Sequence, residues 1–151
     1  MTDARTDVRA GAVAARSDAR AQVMEAAAAL VAAYGSHDVE GYFGAFATDA
    51  TFIFYTTPRV LGSRAAYENE WRSWEAGGFH VLECRSLEGH VHMLTDDIAV
   101  YAHRVRTRIR DADGEHDLAE RESIVFRREA DGRWLGVHEH LSAEPAKPAE
   151  S

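Results

Sequence analysis

The chain of 151 residues predicts an α+β fold, with three N-terminal helices packed on a strongly curved antiparallel sheet. Two observations carry that expectation. Apolar residues recur at helical spacing in three segments before Gly78, and alternation takes over for the rest of the chain. Residues 117 to 142 then read as two strands joined by a turn at Ala130-Asp131-Gly132, where Asp-Gly tolerates positive φ.

Residues 1–16 are mostly Ala, Arg and Asp without an apolar stripe and read as a flexible arm. Ser17-Asp18 starts the first helix, Val23, Ala27, Leu30 and Tyr34 form its buried stripe, and Gly35 stops it. The second helix runs through DVEGYFGAFA, with Val39, Tyr42, Phe43 and Phe46 on one face. Gly41 and Gly44 each weaken it by roughly 1 kcal/mol relative to Ala, so packing must hold it. ATFIFYTT, β-branched and aromatic, is the first strand; Pro58 ends it, and residues 59–61 can pair back on it. Ser63 caps the third helix, whose Tyr67, Trp71 and Trp74 make an aromatic stripe before Gly77-Gly78. Strands follow over 79–94, 98–110, 117–128 and 134–142. The Pro-, Ala- and Glu-rich residues 143–151 read as a disordered tail, leaving 17–142 as one domain.

A net charge of −8 makes nucleic acid and anionic membrane poor partners. No apolar run approaches the ~20 residues of a membrane span, and the N-terminus lacks the apolar region of a secretory signal. Cys84 is the sole cysteine, which excludes an internal disulfide and suits a reducing cytoplasm.

The element order, ATDATF after the second helix, Gly62, and the closing DGRWLGVHEHLS together resemble the nuclear transport factor 2-like superfamily. Within it, residues 20 to 142 look most like the SnoaL-like group of polyketide cyclases and relatives of ketosteroid isomerase. The association domain of calcium/calmodulin-dependent protein kinase II ends similarly. The resemblance implies a cone whose open end is a small-molecule pocket, and a homodimer. Fold alone does not fix function, because enzymes and assembly domains share it. Laid on the motifs of ketosteroid isomerase, the carboxylate base falls at Phe54 and the oxyanion-holding tyrosine near Leu30. Neither can do that chemistry, so the acid and base must lie elsewhere.

The final strands hold the densest mix of ionisable and apolar residues. Glu139, Glu122 and His103 are the first candidates for acid or base, with Arg121 and His140 behind them. Strict alternation puts Glu139 on one face with Leu135, Val137 and Leu141, a setting that raises a carboxyl pKa. Each of these glutamates has a structural alternative, an ion pair with Arg104 or Arg106. Tyr55, Tyr67, Trp71, Trp74 and Phe54 are candidates for an aromatic substrate-binding wall, or for plain core. His138 with His140, and His90 with His92, have a spacing that can hold a metal, but no carboxylate is tied to them and no metal site is assigned. No phosphate loop, Ser-His-Asp order or nucleophilic Cys motif is present.

The resulting expectation is a cofactor-independent enzyme of secondary metabolism acting on a hydrophobic, oxygenated small molecule. Isomerisation, aldol-type cyclisation and dehydration are its reaction types. A noncatalytic ligand-binding or dimerisation module is the rival. Water addition to an epoxide is a third possibility, requiring clustered pocket carboxylates and an arginine.

Overall fold

A computed structural model describes residues 4–146. Helix α1 spans Ala4–Gly35, α2 Val39–Gly44 and α3 Arg64–Ala76. Strand β1 spans Phe46–Phe54, β2 His80–Met93, β3 Ile98–Asp111, β4 Gly114–Arg128 and β5 Trp134–Ala143. The five strands form one curved sheet in the order β1-β5-β4-β3-β2. The helices pack on its inner face, so the α+β architecture is as the sequence predicts. Among the described residues, no helix is long and apolar enough to cross a membrane.

Each helix carries the signals expected of it. Asp38 caps α2 by accepting a hydrogen bond from the Gly41 amide at 3.0 Å, and Ser63 caps α3 through Ala66 at 3.1 Å. Buried Ala19, Val23, Ala27 and Leu30 form a stripe of mostly small residues on α1, which lets that helix lie close to the sheet. Trp134 of β5 donates its indole N–H to Gln22 of α1 at 3.0 Å, tying the last strand to the first helix. Phe43, Phe46, Phe52, Tyr67 and Trp71 pack edge-to-face in the closed end of the fold.

The structure departs from expectation at four places. Helix α1 begins at Ala4, ahead of Ser17, because its Ala- and Arg-rich start has high intrinsic helix propensity. The described side chains before Ala19 are all exposed, so propensity, with no apolar stripe, carries that extension. Strand β1 starts at Phe46 and takes residues expected in the second helix, since Phe46 is needed opposite Gly136. It pairs with β5 in parallel, so the sheet is antiparallel except along that edge. Finally, β5 continues to Ala143, and Glu144 bonds Arg104 at 2.8 Å and Arg106 at 2.7 Å, which orders the start of the expected tail. Residues 147–151 of that tail, and residues 1–3 of the arm, lie outside the described residues. The bridge expected from residues 59–61 is present, between Phe52 and Leu61.

Strand β5 also breaks strict alternation. Val125 pairs with His138 and Phe126 with Gly136, which leaves Val137 as an extra residue, a β-bulge. Trp134 and Gly136 before the bulge and Glu139 after it are all buried on the inner side. The expectation that Glu139 shares a face with Leu135 and Val137 is thereby corrected.

Gly136 is required where it stands, because a Cβ there would lie 2.7 Å from the buried Phe46 ring. Gly136→Ala should destabilise the protein by about 1–3 kcal/mol, the usual cost of overpacking, read as a lower midpoint in urea. An unchanged midpoint would show that Phe46 is free to move.

Candidate active site

A cavity of about 380 Å³ opens between the helices and the inner face of the sheet. Its walls are apolar: Leu30, Val31 and Tyr34 from α1, Tyr67 and Trp74 from α3, and Phe54, Phe79, Val105, Ile109 and Leu141 from the sheet and its approach. Four carboxyl groups line it: Glu120 and Glu122 from β4, Glu139 from β5, and Asp111 at the end of β3, which is paired with His116. Glu120 and Glu122 are two residues apart on one strand, so both side chains leave the same face. The bulge at Val137 turns Glu139 toward them, since Glu139 pairs with Ile124 on that face.

Glu139 and Glu122 hydrogen-bond one another, and their protonation diverges. Burial, the Glu122 charge and the hydrogen bond to Glu122 hold the Glu139 carboxyl well above the usual carboxylate range. Burial pushes Glu122 up as well, but hydrogen bonds to Glu139 and His103 and the His103 charge outweigh it and leave Glu122 below its ordinary value. The two shifts run in opposite directions and favour one carboxylic acid donating to one carboxylate. Tyr42 donates to Oε2 of Glu139 at 3.4 Å and shares a 2.9 Å hydrogen bond with Tyr67. Burial raises both phenols, so they remain neutral donors. Glu120 is raised by burial and accepts a 2.6 Å hydrogen bond from Tyr55. Burial also pushes the Cys84 thiol up to about 12, which keeps it un-ionised on the cavity wall.

Of the residues singled out in the sequence, the structure brings Glu139, Glu122, Phe54, Tyr67 and Trp74 together around the cavity. His103 stands behind Glu122, its side chain fully buried and its Nε2 2.8 Å from Glu122 Oε1. It does not line the cavity, so it orients Glu122 and meets no ligand directly. Arg121 and His140 are exposed on the opposite face of the sheet and are corrected as pocket residues. Trp71 is core, 1% exposed and enclosed by Tyr42, Phe43 and Tyr67, and is corrected as a wall residue. Tyr55 lies at the outer end of the site and acts on it only through Glu120. Neither glutamate of the central pair forms an ion pair with Arg104 or Arg106, which both pair with Glu144, Arg104 also with Glu88.

Glu120, Tyr34 and Tyr42 were not anticipated at the site. Glu120 is visible in the i, i+2 spacing with Glu122; the tyrosines belong to the apolar stripes of the first two helices, where periodicity alone does not separate a cavity wall from plain core. His138 hydrogen-bonds Thr51 at 2.8 Å through Nδ1, and His140 is exposed. Among the described residues, no group of three or more His, Cys, Asp or Glu side chains is placed to hold a metal. The carboxylate cluster required for epoxide hydration is present, but among the described residues no arginine lines the cavity.

Comparison with known structures agrees with this architecture. A ketosteroid isomerase-like protein from Erwinia carotovora atroseptica superposes with a TM-score of 0.71 at 15% identity, covering 84% of this chain and 97% of that one. An NTF2-like protein of unknown function in nutrient uptake from Rhodospirillum rubrum gives a TM-score of 0.70 at 20% identity, covering 82% and 98%. A calcium/calmodulin-dependent protein kinase II association domain, described as putative, from Xanthomonas campestris gives 0.62 at 24% identity, covering 82% and 83%. At these identities the likeness is one of fold. The SnoaL-like domain model matches residues 23–146, which hold both carboxylate strands and every helix face that meets the cavity, and the chain belongs to that family, within the nuclear transport factor 2-like superfamily.

Proposed function

We propose that the protein is a cofactor-independent acid–base enzyme acting on a hydrophobic, oxygenated small molecule, with Glu122 as the base and Glu139 as the acid. The observation that carries this reading is a pair of buried carboxyls in an apolar cavity, Glu139 raised by burial and the Glu122 charge and Glu122 lowered by its hydrogen bonds to Glu139 and His103. In a proton abstraction next to a carbonyl, a C–H bond breaks and an O–H bond forms on Glu122. The negative charge moves onto the carbonyl oxygen, where the Glu139 O–H can stabilise it with help from the Tyr42 and Tyr67 hydroxyls. Isomerisation returns the proton to another carbon; in an aldol-type cyclisation the enolate carbon attacks a second carbonyl. Dehydration uses the same pair, Glu139 protonating the departing hydroxyl. Secondary metabolism and the cytoplasm are the setting this reading implies.

Among the described residues no Arg, Lys or His lines the cavity, while carboxyl groups do. A ligand carboxylate would lose its hydration and meet like charge, so the preferred ligand is neutral. We also propose a homodimer. The outer sheet face sets Val100, Ala102 and Val125 among Arg104, Arg121 and His140, and the described helices pack on the other face.

Four outcomes test these proposals. Acetylnaphthalene should bind, by calorimetry, at least about tenfold more tightly than naphthoate, a difference of roughly 1.4 kcal/mol; equal binding would refute the choice of a neutral ligand. In a screen of enones, β-hydroxyketones and diketones, Glu139→Gln and Glu122→Gln should each reduce turnover by about 10²–10⁴-fold. Binding without turnover of any of them would favour the noncatalytic module. Stability should move the other way. The Glu139 carboxyl holds its proton above its unfolded value of about 4.3, so it erodes wild-type stability as pH rises past that value. Glu139→Gln should therefore melt above wild type near neutral pH and lose that advantage toward pH ~4; a variant that unfolds instead would mark Glu139 as structural. Sedimentation at micromolar concentration should show a dimer, and monomer alone would end that proposal.

A further inference from the structure

We propose that Ser86 and His103 form a proton path from solvent to Glu122 that does not pass through the cavity. It rests on the acid–base reading for its purpose and on geometry of its own for its existence. His103 Nε2 lies 2.8 Å from Glu122 Oε1, and its Nδ1 lies 2.6 Å from Ser86 Oγ. Ser86 Oγ also lies 2.8 Å from the Tyr101 hydroxyl. His103 is buried, whereas Ser86 is exposed on β2, the edge strand of the sheet. Neither residue lines the cavity, and Glu122 does. Glu122 thus has two sides: one faces the ligand, the other leads through an imidazole and a hydroxyl to the sheet edge.

The local backbone is shaped for this. The pairing of β2 with β3 shifts register between Leu87 and His90, and Glu88 adopts φ +54° there. A Cβ at Gly89 would strike the Tyr101 hydroxyl, so the bulge and its glycine make room for the group that holds Ser86. A buried histidine serving only as packing needs neither an exposed hydroxyl on its far nitrogen nor a bulge beside it.

The hydrogen bonds work in both polarities. With His103 neutral, Nε2–H donates to the Glu122 carboxylate, Nδ1 accepts from Ser86, and Ser86 accepts from Tyr101. With His103 protonated, Nδ1–H donates to Ser86, whose own O–H turns to Tyr101 or to water. A proton therefore enters as follows. The Nε2–H bond breaks as an O–H bond forms on Glu122. Nδ1 gains a proton from Ser86, and Ser86 is reprotonated by water at the edge. Entry leaves His103 as its Nδ1–H tautomer, and from that state the reverse sequence discharges the Glu122 proton: it passes to Nε2 while Nδ1–H gives its proton to Ser86 and Ser86 gives one to water. A hydrophobic ligand that plugs the cavity mouth would leave this route open, so Glu122 can be reset while the site is occupied.

The test needs no substrate. In histidine-¹⁵N-labelled full-length protein, NMR follows exchange of the His103 ring N–H with water, and ordinary backbone exchange reports the opening of β3 and β4. Wild-type His103 should exchange much faster than the backbone amides around it. Ser86→Val, which removes the hydroxyl and fills its space, should abolish that difference and leave the backbone rates unchanged. If Ser86→Val does not fold, Ser86→Ala takes its place with the same expectation. Ring exchange no faster than the local amides in wild type, or fast exchange that survives both substitutions, would overturn the path. Either result leaves the turnover tests of Glu122 and Glu139 standing.

Discussion

Strand β5 has to meet two demands that an ideal strand cannot satisfy together. Before the bulge, Trp134 and Gly136 must face the core, where Gly136 makes room for Phe46 and Trp134 reaches Gln22. Three residues beyond Gly136, Glu139 must face the cavity, although an odd spacing points it to the other side of a regular strand. The extra residue Val137 reconciles them. It lets the same strand serve as closed core at one end and as reactive wall at the other. Removing the bulge would place an imidazole, His138 or His140, where the acid now stands.

The cost of that placement is electrostatic. Two carboxyl groups in an apolar enclosure cannot both ionise, and leaving both protonated would waste the stabilisation that His103 offers to one of them. The arrangement settles into one acid and one carboxylate, asymmetric because only Glu122 has an imidazole behind it. Glu139 is backed by phenols, which donate but carry no charge. The two roles are thus assigned by neighbours, since the residues themselves are chemically identical.

How much of this is legible in the sequence follows from the range of the forces involved. Periodicity and capping are local, and the three helices, the strand meander and its turns are readable in Ser63, Gly77 and the alternation of residues 98–109. Glu139, Glu122 and His103 are likewise recoverable, being ionisable residues beside apolar ones. The bulge is not: its cause is the contact of Phe46 with Gly136, ninety residues apart in sequence. Without it, alternation assigns wrong neighbours to Glu139. The same long-range pairing hides the parallel β1–β5 edge and the start of β1. Arg121 and Trp71 miss the cavity for opposite reasons. Arg121 alternates outward with Ser123 from Glu122, whereas Trp71 shares a helical stripe with Tyr67 and Trp74 and is set deeper in the core than either.

The parallel edge also bears on biosynthesis. β1 cannot find its sheet partner until β5 has left the ribosome, because every strand between them in sequence lies on the far side of β5 in space. Until then Phe46, Phe52 and Phe54 have only helices to cover them, and the acid has not yet been placed opposite its carboxylate. Contacts so distant in sequence close late and slowly. The enclosed chemistry is therefore among the last things the nascent chain acquires, and a ribosome that stalls before Trp134 would hold an open, aromatic-rich half-cone suited to chaperones or aggregation.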